Sequence, residues 1–189
     1  MKRIMDGNLG VLIAVILVSH SWIMKNIEGH AYLGKEKVTK LHFFFHDTLT
    51  GDHPTTKPVA YPIGTVISPS NLAPSNAVYV ADDPLTDGPD PNSTVVGHAQ
   101  GFYVFERQDK VVLIFVMEIG FTSGEFNGSS ITLCSRNPVL ETDREVAVVG
   151  GRGKFRLAHG FAKLHTYSFN LTGAGAVVEY DVTVFHYEM

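Results

Sequence analysis

Two short runs hold the side chains best suited to proton chemistry. In Leu41-His42-Phe43-Phe44-Phe45-His46-Asp47 the two-residue period of a strand puts Phe43, Phe45 and Asp47 on one face and His42, Phe44 and His46 on the other. An inward Asp47 would sit among aromatic rings, where loss of water favours the neutral carboxyl. It could then serve as an acid, or accept a hydrogen bond once ionised. The plainer account of the same residue is an aspartate that ends a strand and caps the next turn. In Gly97-His98-Ala99-Gln100-Gly101-Phe102-Tyr103-Val104-Phe105, the residues Gly101, Tyr103 and Phe105 share a face. The Tyr103 hydroxyl could orient a polar group of a ligand, or belong to an ordinary core tyrosine. Arg144 stands between Asp143 and Glu145, where a surface ion pair is the simple reading. Asp82 and Asp83 open the run Asp82-Asp83-Pro84-Leu85-Thr86-Asp87-Gly88-Pro89, whose composition is that of a loop.

Other chemistries fail on spacing. Gly150-Gly151-Arg152-Gly153-Lys154 has Val148 and Phe155 where a phosphate loop needs Gly and Ser or Thr. His42 and His46 share a face but lie about 13 Å apart along a strand, too far to grip one metal. The single cysteine, Cys134, excludes an internal disulfide and a Cys-rich zinc site, and reads as a buried, inert thiol. No Gly-x-Ser-x-Gly elbow occurs. The net charge is -4, with no long basic run, so neither a nucleic-acid surface nor a site for acidic substrates is indicated.

The elements that would position these residues are strands. Strand-like runs recur at Leu41–Asp47, Tyr61–Ile67, Ala77–Ala81, Val95–Phe105, Val111–Phe121, Ser130–Cys134, Glu145–Val149, Phe155–Ala162 and Val177–Tyr187, divided by turns rich in Gly, Pro and Asn. Val111–Phe121 is apolar on both pleat faces, the pattern of a strand covered twice. Short strands without crossover helices imply an all-β protein, an antiparallel barrel or sandwich, and a barrel is preferred because closure removes exposed edges. With 189 residues, 44% of them hydrophobic, one domain is expected.

Residues 1–21 read as a secretory signal peptide: Lys2 and Arg3, then the apolar run Val11–Val18, then small residues at Ser19 and Ser21. The run is short for a membrane span. Residues 22–38 form a mixed, charged segment of low order, and the barrel domain is expected over 39–189. Asn92-Ser93-Thr94, Asn127-Gly128-Ser129 and Asn170-Leu171-Thr172 are glycosylation sequons at expected turns.

Several ordered blocks resemble plant dirigent proteins: His46-Asp47, Ala81–Pro89, Gly97–Tyr103, Phe126–Ser129, Ser135-Arg136-Asn137-Pro138, Arg144-Glu145, Val148–Gly151 and Val178–Val182. They cover nearly all of the chain after the signal peptide. The resemblance implies an eight-stranded antiparallel β-barrel similar to allene oxide cyclase, secreted to the plant apoplast as a homo-oligomer, a trimer or possibly a dimer. It implies a phenolic substrate inside the barrel, no metal and no organic cofactor, and a separate oxidase, laccase or peroxidase, where radicals are coupled. It also places Asp47, Tyr103 and Arg144 as catalytic residues, with Phe43, Phe45, Phe105, Asn137 and the rim residues Asp82 and Asp83 as substrate contacts. A neutral Asp47 could then donate to a quinone methide oxygen, and Arg144 could stabilise oxyanion character. Lignan-forming members commonly carry an aspartate at the position of Asn137 and a second tyrosine at that of Phe105. The Arg136-Asn137-Pro138 form is similar to the branch that includes pterocarpan synthases. His98 and His159 stand where many members have arginine. Three readings follow: a guide of phenoxy radical coupling or quinone methide closure, a true cyclase or dehydratase, and a secreted, non-catalytic phenolic-binding defence protein.

Overall fold

The computed structural model describes residues 34–68, 71, 74–106, 111–170 and 175–187. The expected signal peptide and most of segment 22–38 lie outside the described residues. Nine strands are present among these residues: β1 (Glu36–Thr48), β2 (Thr56–Ala60), β3 (Val78–Thr86), β4 (Val95–Phe105), β5 (Leu113–Phe121), β6 (Ser130–Asn137), β7 (Asp143–Arg152), β8 (His159–Asn170) and β9 (Gly175–Tyr187). All neighbours pair antiparallel in the order β1-β9-β8-β7-β6-β5-β4-β3, and β1 closes on β3 through Phe44 opposite Thr86 and Phe45 opposite Leu85. The result is an eight-stranded barrel with β2 added to the outer end of β3. Among the described residues no helix is long and apolar enough to cross a membrane.

Alternation along the strands sets the two surfaces. On β9, Val178, Tyr180, Val182, Val184 and His186 are buried, and Asp181 between them is exposed. On β5, Phe115, Met117, Ile119 and Phe121 face the core. β4 and β5 approach closely, and a Cβ on Gly97 would collide with the Gly120 carbonyl and one on Gly101 with that of Val116. Glycine is therefore required at both close approaches.

Six expectations change, one being the strand expected at Phe155–Ala162, which starts only at His159 after the 3₁₀ turn Gly153–Phe155. β1 begins at Glu36 rather than at Leu41. Residues 61–67 are not a strand: Pro62 accepts a turn hydrogen bond from Thr65 at 3.0 Å, Gly64 has φ of 86°, and the strand is Thr56–Ala60 just before them. β5 is covered on its inner face only, since Ile114 on its outer face remains exposed in the single chain. Cys134 is exposed, because Ile131 and Leu133 take the inward positions of β6 and leave Cys134 outside. Asp82 and Asp83 are not in a loop: β3 continues through Pro84 to Thr86. Pro84 falls between the part of β3 that pairs with β2, up to Ala81, and the part that pairs with β1, from Leu85, where a missing N–H costs least.

The two ends of the barrel differ. At one end, short 3₁₀ turns at Gly124–Phe126 and Gly153–Phe155 fold Phe126 and Phe155 against Phe121, with ring centroids 4.8 Å apart for Phe126 and Phe155 and 5.8 Å for Phe121 and Phe155. Phe43 joins them at 6.4 Å from Phe121. This end is a solid aromatic plug. The other end, where β1 finishes and where β4, β6 and β8 hand over to their successors, is hollow.

Candidate active site at the hollow end

A cavity of about 150 Å³ occupies that end, with walls that are mostly apolar. Phe45, Phe105, Leu113, Phe115, Met117 and Val178 form much of its surface. The polar side chains reaching it are Asp47 from the end of β1, Tyr103 from β4, Asn137 from the end of β6, Arg144 from the start of β7, Thr166 from β8 and Tyr180 from β9.

Register explains why these residues meet. Tyr103 on β4 lies opposite Tyr79 on β3 and Phe115 on β5, so its ring stands in an aromatic row; the Tyr79 and Tyr103 rings stack at 5.3 Å and 9°. One step toward the mouth, Phe105 is opposite Leu113, which is opposite Asn137. On the far wall Arg144 is opposite Leu164, Leu164 opposite Tyr180, and Tyr180 opposite Phe43, a belt across β7, β8, β9 and β1. Phe43 stacks on Tyr180 at 5.3 Å and 15°, beneath the cavity rather than in its lining.

The electrostatics follow from burial. Asp47 hydrogen-bonds Thr56 and Tyr103, yet loss of water pushes its carboxyl up to about 6. Its Oδ1 is buried without a partner. Burial, together with the nearby charge of Asp47, drives Tyr103 far above the usual phenol range. Tyr180 is likewise raised by burial. Arg144 is buried; its Nη1 donates to the Val139 carbonyl at 2.8 Å, while Nε and Nη2 are buried without partners. Burial lowers its pKa from the usual value, but a guanidinium remains cationic in proteins. Asn137 Oδ1 is also buried without a partner. Each such orphaned group costs roughly 1–3 kcal/mol. Unmet donors on one wall and an unmet acid oxygen on another suit a ligand with a developing oxyanion and an exchangeable proton.

Asp47, Tyr103, Arg144, Phe45, Phe105 and Asn137 thus share one cavity. Asp82 does not reach it: its side chain points outward and is 58% exposed, with Oδ1 3.1 Å from His98 Nδ1. Asp83 is fully buried inside the barrel but is absent from the cavity lining. Tyr180 and Thr166 are polar lining residues that the sequence reading missed, although the alternation of Tyr180 with Val178 and Val182 marks it as inward. His159, the other histidine at a family arginine position, stacks on Phe185 at 5.4 Å on the outer surface. Among the described residues no group of three or more His, Cys, Asp or Glu could hold a metal ion.

A closed antiparallel barrel whose interior ends in one apolar pocket with a few convergent polar groups defines a protein that encloses a single small ligand. Comparison with known proteins narrows this. The dirigent-like protein family profile matches residues 38–185, and the chain belongs to the dirigent family. It is 45% identical over 161 residues to Dirigent protein 15 of Arabidopsis thaliana, covering 83% of this chain and 84% of that one. It is 46% identical over 154 residues to Pterocarpan synthase 1 of Glycyrrhiza echinata, covering 81% and 80%. A solved pterocarpan synthase dirigent protein superposes with a TM-score of 0.77 at 45% identity, over 84% of this chain and 94% of the other. Pyocyanin demethylase, at 11% identity and a TM-score of 0.51, shares the fold alone.

Proposed function

We propose that this protein closes a ring stereoselectively in one phenolic substrate through a quinone methide. The observation that carries this reading is the size and polarity of the cavity. A cavity of about 150 Å³ is the volume that holds one benzene ring in an apolar protein interior. It suits one substrate with a ring seated inside better than two radicals meeting face to face. The similarity to pterocarpan synthases in both sequence and structure supports the same choice.

The chemistry balances with the residues present. The substrate is a hydroxybenzyl alcohol of the isoflavonoid type that carries a second phenol. Asp47, protonated, gives its proton to the departing benzylic hydroxyl, the C–O bond breaks and water leaves. The ring phenol gives its proton to water, which later returns one to the ring oxygen, and this loss forms the quinone methide, whose oxygen Arg144 steadies. The second phenol then adds to the benzylic carbon; its proton returns to Asp47 and the ring oxygen is protonated again. The net reaction is ether formation with loss of one water, without an oxidant. The barrel's largest contribution is to fix which face is attacked.

The cellular setting is proposed with it. Secretion to the apoplast is supported by the pattern of residues 1–21, and glycosylation by exposed Asn92 and Asn127 at the plugged end. The third sequon begins at Asn170, the last residue of β8, and its remaining residues lie outside those described. A homo-oligomer is supported by the outer face of β3 to β6, where Val80, Phe102, Val116 and Cys134 stand opposite one another in a row. Phe102→Glu should convert an oligomer into a monomer in light scattering, and an unchanged mass would move the interface elsewhere.

The functional test is to incubate purified protein with hydroxybenzyl alcohols of the phenylpropanoid and isoflavonoid types, with and without a laccase or peroxidase, and to read products by chiral chromatography. Conversion to one enantiomer without oxidase is expected. Enantiomeric excess only with oxidase would replace this reading by radical guidance. Tight binding with racemic product throughout would leave a carrier of phenolics.

A further inference from the structure

Asp83 is a carboxyl that the ring closure does not use, yet it lies fully buried beside the one that it does. The Thr56 hydroxyl, also fully buried, stands 3.3 Å from Asp83 Oδ1 and 3.4 Å from Oδ2. Asp47 lies two residues beyond Phe45 on β1, as Asp83 lies two residues before Leu85, the partner of Phe45, on β3, and the same hydroxyl favours the ionised form of Asp47. A hydroxyl has one proton to give and lone pairs with which to accept. One proton divided between two carboxylates serves each weakly, whereas donating to one carboxyl and accepting from the other satisfies both, and that arrangement needs one of the two protonated.

The surroundings agree. The groups facing the pair are Tyr79 on β3, Tyr103 on β4 and Tyr180 on β9, with Asp82 beside Asp83 and Thr55 donating to Asp83. Each titratable group among them is anionic if it ionises at all. Arg144, the cation of the cavity, interacts with Tyr180 and Glu141 instead. Two buried carboxyls with like charges around them cannot both ionise cheaply.

We propose that Asp83 is a positioning residue for Asp47: the two carboxyls share one proton through the Thr56 hydroxyl, and Asp83 thereby decides when Asp47 carries it. The assignment deepens the ring-closing reading and rests on it for its catalytic meaning. When Asp47 gives its proton to the leaving hydroxyl, the pair becomes fully ionised, the least stable state of the buried site. The proton released as the ring closes then returns to it readily. Burial raises both carboxyls, and the nearby charge of Asp47 raises Asp83 further, up to about 8, so the pair titrates as one unit.

The proton itself can be read without any substrate, by infrared titration of the protonated-carboxyl band in purified wild-type protein and in the variants Asp83→Asn, Asp47→Asn, Thr56→Val and Thr56→Ser. Wild type should keep a protonated-carboxyl band at neutral pH. Asp83→Asn should lose it, because Asp47 alone ionises at lower pH by at least about one unit. Asp47→Asn should lose it likewise. Thr56→Val, nearly isosteric, removes the bridge that stabilises the singly protonated pair and should move loss of the band to lower pH, and Thr56→Ser should return it. No band in wild type at neutral pH, or an unchanged band in folded Asp83→Asn, would overturn the proposal. Should Asp83→Asn not fold, a Thr56→Val titration identical to wild type would overturn it as well. Where a substrate turns over, Asp83→Asn should shift the basic limb of the kcat profile to lower pH and leave KM within about twofold, since Asp83 does not line the cavity. A missing activity with an intact shared band would reject the ring-closing reading and leave the proton pair standing.

Discussion

The two ends of the barrel interior are built from the same strands and do opposite things. At the plugged end, Phe43, Phe121, Phe126 and Phe155 pack ring against ring. Among the described residues, the buried polar atoms without partners include His186 Nδ1 toward this end, whose Nε2 lies 2.8 Å from Thr39 Oγ1. At the hollow end, Asp47, Asn137 and Arg144 together hold four buried polar atoms without partners, around a cavity. One end stabilises the fold; the other holds unmet polar groups whose cost a ligand can offset. The difference teaches where to look for function in a barrel: at the end that a purely structural optimum would have filled.

Substitutions sharpen that contrast, beginning with the largest effect. Asp47→Asn should lower turnover roughly 10²–10⁴-fold, the usual range for a general acid, while leaving the melting temperature unchanged or higher. A melting temperature that falls together with turnover would make Asp47 structural. Phe155→Ala at the plug should cost about 3–5 kcal/mol in denaturant unfolding. Product handedness, measured where the variant is still folded, should stay the same. If Phe155→Ala scrambled handedness instead, the two ends would not be separable. Arg144→Met should remove an incompletely partnered buried charge. Its stability should stay within about 1 kcal/mol of wild type or rise, whereas quinone methide closure should slow by about 10²-fold. A loss of several kcal/mol would show that Arg144 belongs to the fold.

The gentlest signature per pH unit is a slope. In the unfolded chain both aspartates ionise near the ordinary carboxyl value of 3.8, but in the folded state they hold protons up to about 6 and about 8. Between these limits the folded state binds more protons than the unfolded one. Their contribution to stability is therefore fully present below the unfolded value and is lost as pH rises from about 4 to about 8. A tenfold gain in proton affinity on folding corresponds to about 1.4 kcal/mol. Urea unfolding at a series of pH values should show this decline, and Asp83→Asn should flatten it.

Much of the fold was legible because strand alternation leaves a two-residue period. Phe43, Phe45 and Asp47 on one face, and Tyr103 with Phe105 on another, follow from it directly and point inward as read. Arg144 was obscured by its neighbours: Asp143 and Glu145 suggest a surface pair, yet the alternation of Arg144 with Val146 and Val148 carries the inward signal. Asp83 was obscured by Pro84 and the turn-forming residues after it. Only the pairing of β3 with two different strands along one edge lets a proline sit within the strand. The cavity itself leaves no local trace. It depends on which side chains from seven strands fail to fill the same space, and that is a property of closure rather than of any segment.

The most direct test of the central claim uses a hydroxybenzyl alcohol substrate carrying heavy oxygen at its benzylic hydroxyl, incubated with the purified protein in the absence of oxidant. Departure of that hydroxyl through a quinone methide predicts an optically active, ring-closed product without the label and one labelled water per product formed. Retention of the label in the product, or no optically active product until an oxidase is added, would contradict the account.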